Sequence, residues 1–350
     1  MTHDHTHTTL YRKYRPSVFE EVIGQERTVR VLKAALKNNT AGHAYLFYGG
    51  RGTGKTSLAR IFARELGVHP EDMYEIDAAS HTGVDNIREL NESTTSLPFR
   101  SPYKVYIIDE VHMLSKNAFN ALLKTIEEPP RHVIFMLATT EIEKVIDTIV
   151  SRCQVLTLDQ PTIETLRELI KKIADAEGLT ITPTAMTTIA LLGDGSFRDT
   201  LGVLQKVMTT STEKELSDEE VEAITGAPNL ATLQDILTAI GKGDIEAGLS
   251  GVNRARAAQV SATLLVSQLL HYGRSLLLLR FAPKQRASIQ EDVGEDMTIF
   301  LESLATTGVH LNATWLARLI DAHHSTKRSH LPFLPLELAL LAHLEGVVHK

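Results

Sequence analysis

The stretch Gly49-Gly50-Arg51-Gly52-Thr53-Gly54-Lys55-Thr56 limits what this chain can become more than any other, because it satisfies G-x-x-x-x-G-K-[ST] at every defined position. It follows the apolar run Ala44-Tyr45-Leu46-Phe47-Tyr48 and precedes the helix-like Ser57-Leu58-Ala59-Arg60-Ile61-Phe62-Ala63-Arg64. A strand that feeds a glycine-rich turn and then a helix N-terminus gathers several backbone N–H groups on one point. The helix dipole adds favourable potential for a phosphate there. Residues 49–57 are therefore expected to hold the phosphates of a nucleotide, with Lys55 reaching the β- and γ-phosphates, the Thr56 hydroxyl offered to Mg²⁺ and Ser57 beside it. A glycine-rich turn also matches such a pattern by chance, so the reading leans on what lies downstream.

Tyr103-Lys104-Val105-Tyr106-Ile107-Ile108-Asp109-Glu110 is a near-continuous apolar run ending in two carboxylates, as a central strand buried on both faces should read. Open α/β sheets bind ligands outside the carboxyl ends of their strands. Asp109 is thus expected to hold Mg²⁺ directly or through water, and Glu110 to orient and polarise the water that attacks the γ-phosphate. Acidic residues after a strand also serve as turn or capping residues, but paired with the upstream loop the catalytic reading is the stronger. A further buried run, 132–138, ends at Thr139-Thr140. A hydroxyl there suits contact with the γ-phosphate or the attacking water, and equally suits ending a strand. With strands also read at 44–48, 73–77 and 154–158 and helices between them, the alternation indicates an α/β fold, a parallel sheet covered on both faces.

Pro161 marks a boundary. Residues 162–208 contain no convincing strand and read as helices at 163–178, 183–192 and 196–208. Arg198 falls in the first turn of the last one, where a cation is electrostatically unhelpful; that invites a ligand-binding explanation, although an exposed arginine there costs little. Residues 209–218 read as a polar linker, followed by a capping-box start at Ser217-Asp218-Glu219-Glu220. From there on the pattern is helical, at 230–240, 245–256, 260–279, 297–305, 312–323 and 336–349, with no catalytic constellation. An all-α interaction domain is the natural reading.

At the other end, residues 1–9 alternate Thr with His3, His5 and His7 and read as a polar, disordered arm. Tyr11-Arg12-Lys13-Tyr14-Arg15-Pro16, with Phe19, Val22 and Ile23, is too irregular for a helix. It is either a strap packed on an adenine ring and ribose or a plain brace on the core.

Bulk properties narrow the rest. At 350 residues two or three domains are expected, and a net charge of −7 means that any DNA contact must use a local basic surface or one shared with partners. The single cysteine, Cys153, excludes an internal disulfide and a cysteine-based zinc module. No stretch approaches the ~20 apolar residues of a membrane span, and the run 264–279, interrupted by Gln268, His271 and Arg274, reads as a buried helix. Without a secretory signal the expected location is the cytoplasm.

Taken together the motifs form one ordered set. Tyr11-Arg12-Lys13-Tyr14-Arg15-Pro16, Val22-Ile23-Gly24-Gln25, the glycine-rich loop, Glu75-Ile76-Asp77-Ala78-Ala79-Ser80 and Ile108-Asp109-Glu110-Val111-His112-Met113-Leu114-Ser115 come first. Phe119 to Pro130, Leu137-Ala138-Thr139-Thr140, Ser151-Arg152-Cys153 and Gly195-Ser196-Phe197-Arg198-Asp199 follow. In this order they closely resemble the gamma/tau subunit family of bacterial DNA polymerase III, the ATPases of sliding-clamp loaders.

The resemblance implies an AAA+ P-loop NTPase module over residues 10–160, a helical lid over 161–210, and an all-α collar over 211–350 that joins subunits into a pentamer. By position Thr140 corresponds to the first sensor, Arg198 to the second, and Arg152 to an arginine finger reaching a neighbouring subunit's nucleotide. Tyr11, Arg15, Val22 and Ile23 match the adenine-side strap. ATP with Mg²⁺ would open the sliding clamp, and hydrolysis on primer-template DNA would release it closed. Arg88 and Lys116 match positions that face DNA, and as ordinary helix charges they would simply be solvated. Membership of the holoenzyme would class the chain with DNA-directed DNA polymerases although it shows no polymerase site of its own.

Departures from the family are expected to matter too. Residues 66–72 bridge directly the interval where relatives carry a four-cysteine zinc module, so no zinc is expected. The loop 80–83 is less basic than the family tends to be, and no tau-type extension follows the collar, as in a gamma-like form. A non-hydrolysing loader subunit is the first competing reading; intact Lys55, Thr56, Asp109 and Glu110 count against it. Another AAA+ DNA-remodelling machine, such as a Holliday-junction motor, is the second. The 112–115 and 127–130 stretches and the helical C-terminal region count against that one.

Overall fold

Apolar residues alternate sides along each central strand, and the chain folds by burying both sides. The computed structural model describes residues 9–80, 82–211 and 214–348; of the arm expected over 1–9 only Thr9 is among them, and His81 of the loop 80–83 is not. Two compact units are formed, one from residues 1–165 with 195–198, the other from 166–194 with 199–350.

The first unit begins with α1 (Leu10–Lys13) and α2 (Glu26–Lys37). Strands β1 (Ala44–Tyr48), β2 (Met73–Asp77), β3 (Lys104–Asp109), β4 (Val133–Thr139) and β5 (Gln154–Thr157) alternate with α3 (Lys55–Glu65), α4 (Val84–Ser93), α5 (Lys116–Glu127) and α6 (Asp147–Val150). The strands form one sheet in the order β2-β3-β4-β1-β5, every pairing parallel. Tyr45, Phe47, Val105, Ile107, Ile134 and Met136 pack on one face with Leu58, Ile61 and Phe62 of α3. Leu46, Tyr106, Ile108, Phe135 and Leu137 pack on the other with Ile87, Leu122 and Ile126 of α4 and α5. Tyr45 meets the edge of Phe62 with ring centroids 5.0 Å apart, an aromatic contact of about 0.5–1.5 kcal/mol beyond its buried area. Strand period and helix period thus meet on both sides of the sheet, as the doubly apolar runs required.

The second unit is built mainly of helices. It includes α7 (Ile163–Glu177), α8 (Pro183–Leu192), α9 (Phe197–Thr210), α10 (Asp218–Thr225), α11 (Leu230–Lys242), α12 (Ile245–Ala257) and α13 (Ala262–Phe281). It ends with α14 (Arg286–Val293), α15 (Glu295–Thr307), α16 (Ala313–Thr326) and α17 (Leu334–Val348). Its core gathers around fully buried Tyr272, Leu276, Leu301, Trp315 and Leu319. α13 is the buried helix expected from 264–279, with Gln268 and His271 inside it. No helix among the described residues is long and apolar enough to cross a membrane.

Three sequence readings are corrected. The stretch 162–208 does contain a strand: β6 (Thr180–Ile181) pairs in parallel with β7 (Glu215–Leu216), which lies in the supposed linker. Two residues carry no periodicity, so neither strand left a signal. Residues 10–13 do form a helical turn, held by Arg12 N–H to the Thr9 carbonyl at 2.9 Å and Tyr14 N–H to the Leu10 carbonyl at 2.9 Å, with Leu10 buried beneath. α14, between the helices read at 260–279 and 297–305, buries only Ile289 and Val293, one apolar pair at i,i+4.

Candidate active site

Sheet order decides which loops meet. β4 lies between β1 and β3, with Tyr48 opposite Thr139 and Ile108 opposite Leu137. The glycine-rich loop after β1, the acidic pair after β3 and the two threonines after β4 therefore emerge side by side at the carboxyl edge, where parallel sheets bind ligands.

The loop itself is shaped by backbone that only glycine adopts readily. Gly52 has φ +71° and Gly54 φ +101°, and α3 starts at once with Lys55. Lys55 is 5% exposed, and its ammonium donates to the Gly49 carbonyl at 3.0 Å and the Gly50 carbonyl at 2.8 Å. Burial pulls its pKa down, while the nearby Glu110 and Asp109 carboxylates oppose that shift. Thr53 Oγ1 donates to the Gly50 carbonyl at 2.9 Å and closes the turn. Gly49 lies against the Leu158 carbonyl, too close for a Cβ, and Arg51 at the loop's tip is exposed.

Thr56 Oγ1 donates to Asp109 Oδ2 at 2.7 Å. This joins the first turn of α3 to the end of β3 and sets two hard oxygens next to each other. Such a pair suits Mg²⁺, which commonly takes one or two protein oxygens and fills the rest of its shell with phosphate oxygens and water. The donor chemistry present therefore fits the ion expected there.

Glu110 follows with φ +49° and ψ 44°, the left-handed region, which costs a non-glycine residue about 1–3 kcal/mol and recurs at functional sites. The turn is held by Glu110 N–H to Asp109 Oδ1 at 3.0 Å. It aims the Glu110 carboxylate across to β4, where Thr140 Oγ1 donates to Oε2 at 3.2 Å. His112, part of the same turn, has a side chain only 6% exposed. Its Nδ1 lies 3.0 Å from Thr139 Oγ1 and 3.5 Å from Glu110 Oε2, and its Nε2 lies 3.3 Å from Glu141 Oε1. The sequence named His112 only as part of a motif. Thr139 and Glu141 are 27 and 29 residues away, so its position just after the acid pair was the one available signal.

Residues 15–25 lie against the same edge. Arg15 Nε donates to Ser57 Oγ at 2.9 Å, tying this segment to the helix that follows the glycine-rich loop; burial is the first cause that lowers the Arg15 pKa. Gln25 exchanges two hydrogen bonds with the backbone of Asp159, at 2.7 and 3.1 Å. Val22 packs on the α3 face of the sheet, and Ile23 is half-buried. Residues 195–198 reach the loop as well: Phe197 N–H donates to the Gly52 carbonyl at 3.1 Å. The Arg198 guanidinium stacks over the Tyr11 ring, 5.1 Å from its centroid, so two residues named separately from the sequence are in contact.

Other expected residues are placed elsewhere. Arg152 pairs with Glu127 at 2.6 Å and donates to the Thr148 carbonyl at 2.8 Å, apart from the Lys55, Asp109 and Glu110 contacts. Exposed Arg88 pairs with Asp85 at 2.9 Å, and Lys116 is an exposed first residue of α5, which Ser115 caps. Cys153 packs against the α4 and α5 side of the sheet, and burial pushes its thiol up to about 12, which makes it unreactive.

Comparison with known proteins adds the following. The profile described as DNA polymerase III subunits gamma and tau domain III matches residues 216–345, that described as DNA polymerase III, delta subunit matches 67–162, and that described as magnesium chelatase, subunit ChlI matches 18–110. DNA polymerase III subunit tau of Bacillus subtilis is 36% identical over 96% of this chain and 63% of its own length. The gamma/tau subunit of Mycobacterium tuberculosis is 36% identical over 82% of this chain and 54% of its own, and tau of Escherichia coli 34% over 79% and 46%. The chain thus spans between about half and under two thirds of the curated relatives' length. Among solved structures, the Thermotoga maritima RuvB Holliday junction branch migration motor superposes with a TM-score of 0.52 at 24% identity, covering 70% of this chain and 85% of that one. That likeness is one of fold.

Proposed function

The chain belongs to the gamma and tau subunit family of DNA polymerase III, and from that membership we propose that it is an ATP hydrolase and the motor of a sliding-clamp loader. Its fold is that of the AAA+ P-loop NTPases. The observation that carries the proposal is the Thr56–Asp109 hydrogen bond with Glu110 next to it, because it unites the phosphate loop with the acidic pair.

In this reading the backbone N–H groups of residues 49–57 and the Lys55 ammonium hold the triphosphate. Thr56 and Asp109 hold Mg²⁺, which when bound neutralises charge on the β- and γ-phosphates and orients them. Glu110 orients and polarises the attacking water. Thr140 steadies that carboxylate and senses the γ-phosphate, and Arg198, brought to the loop with Phe197, senses it from the lid. Tyr11, Arg15, Val22 and Ile23 line the adenine side. Arg152, whose own contacts lie apart, serves the nucleotide of a neighbouring subunit, so that hydrolysis depends on assembly.

The partners we propose are the other loader subunits in a pentamer, the sliding clamp, and primer-template DNA, met in part by Arg88 and Lys116. ATP binding opens the clamp, and hydrolysis on primed DNA releases it in the cytoplasm. Residues 161–210 act as the lid and 211–350 as the collar, with no zinc required. The test is ATPase activity of the full chain with its loader partners, with and without clamp and primed DNA. Marked stimulation by clamp and DNA together is expected; a chain that turns over no ATP under any of these conditions overturns the proposal.

A further inference from the structure

His112 is enclosed by hydrogen-bonding groups from a single short segment. Lys144 pairs with the Glu141 carboxylate at 2.7 Å, and His112 Nε2 faces that carboxylate, 3.3 Å from Oε1. On the other side of the ring, Nδ1 and the Thr139 hydroxyl share a hydrogen bond of 3.0 Å. Thr139 Oγ1 in turn accepts the Glu141 N–H at 3.0 Å. Thr139 thus links the Glu141 N–H to one nitrogen of the imidazole, and the Glu141 carboxylate faces the other nitrogen at ion-pair distance. Polar groups on both ring nitrogens restrain the plane of a buried imidazole.

What that plane backs is Glu110. Its Oε2 stands 3.5 Å from His112 Nδ1, beyond hydrogen-bond range, and 3.2 Å from the Thr140 hydroxyl that donates to it. One carboxylate oxygen is thus bracketed between the Thr140 hydroxyl and the imidazole, on a residue with left-handed backbone.

We propose that His112 is a positioning residue for ATP hydrolysis: through Thr139 and Glu141 it forms a fixed wall behind Glu110 Oε2, which leaves Oε1 as the oxygen that meets the attacking water. This rests on the reading of Glu110 as the carboxylate that orients that water. It assigns work to three side chains that need not touch nucleotide, His112, Thr139 and Glu141.

The experiment measures steady-state ATPase and nucleotide affinity of the full chain, assembled with loader partners, clamp and primed DNA, for H112A, H112N, T139V, the H112A/T139V pair and E110Q. H112A is expected to lower kcat about 10- to 100-fold, the size of loss that follows removal of a group orienting a metal ligand, with nucleotide Kd and KM within about twofold of the parent. H112N keeps a polar atom near the Nδ1 position and recovers part of kcat. The double variant falls no further than the worse single, because both break one network. Should H112A melt early, H112N and T139V carry the same comparison. Lost turnover in E110Q with undiminished kcat in H112A and T139V overturns the proposal alone, as does a joint fall of kcat, affinity and melting temperature in H112A, H112N and T139V, which is a packing role. Full turnover in E110Q overturns the reading of Glu110 and the proposal with it.

Discussion

Gly52 and Ser196 stand so close that a Cβ on Gly52 would overlap Ser196 Oγ and lie 3.0 Å from Ser196 Cβ. The contact, with Phe197 N–H on the Gly52 carbonyl at 3.1 Å, brings residues separated by more than 140 positions to the tip of the phosphate loop. Arg198 lies two residues beyond this seat and stacks over Tyr11, so the sensing proposed for Arg198 would depend on a missing side chain in the loop.

Gly52→Ala is therefore expected to do more harm than Gly54→Ala. Both residues have positive φ, +71° and +101°, but an added Cβ at Gly54 meets nothing within 4 Å. Gly54→Ala carries only the conformational penalty, about 1 kcal/mol. Gly52→Ala adds the clash and should weaken nucleotide affinity as well as stability. Replacing Ser196 by Gly as well removes the obstructing atoms and should return part of that affinity. Calorimetric titration with ATP on the three variants decides it, and equal losses at the two glycines would refute the seating.

Lys55→Ala is expected to abolish nucleotide binding, since the ammonium is the one side-chain cation buried in the loop. Thr56→Val keeps shape and removes both the bond to Asp109 at 2.7 Å and the hydroxyl proposed to hold Mg²⁺. Its nucleotide affinity should become indifferent to added EDTA, at the level the parent shows without Mg²⁺. Retained Mg²⁺ dependence in Thr56→Val would place the ion elsewhere.

Much of this centre was legible in the sequence because its signals are local. The glycine-rich loop, the apolar run ending in Asp109 and Glu110, and the run ending at Thr139 each carry their pattern within ten residues, and β3 and β4 lie within about a residue of their expected bounds. Contacts between these stretches were not legible. Arg15 on Ser57, Arg198 on Tyr11 and His112 on Thr139 join residues 27 or more positions apart, so the tertiary fold, and for His112 the strand order, supplies the partner. The two-residue strands β6 and β7 failed for a different reason: pairing, and not pattern, makes them strands.

Arg152→Ala tests the dependence on assembly. Its guanidinium is engaged by Glu127 and the Thr148 carbonyl, both on its own subunit, and a surface pair of this kind adds about 0–1 kcal/mol to stability. The variant should therefore keep its melting temperature and its nucleotide affinity. ATPase of the assembled complex should fall by about 10³–10⁵, the usual effect of losing an arginine finger. Isolated subunits with and without Arg152 should hydrolyse ATP equally slowly; a comparable loss in the isolated subunit would assign the residue to its own nucleotide.

Glu222 supplies a pH test within the second unit. Burial on α10, with repulsion from Asp218 and Glu219, raises its carboxyl from 4.5 to about 7, although Leu230 N–H donates to Oε1 at 3.1 Å. With the folded value above the unfolded one, the protonated form favours folding. That stability is fully present below about pH 4.5 and is lost as pH rises through 7. Glu222→Gln keeps an acceptor for Leu230 and removes the charge. Screening at this half-exposed carboxyl holds the gain to about 1 kcal/mol, or about 2–4 °C in the melting temperature of a domain this size. The gain should appear at pH 8 and vanish near pH 4.5; a variant equally stabilised, or destabilised, at both pH values would show that the carboxyl is not strained by its burial.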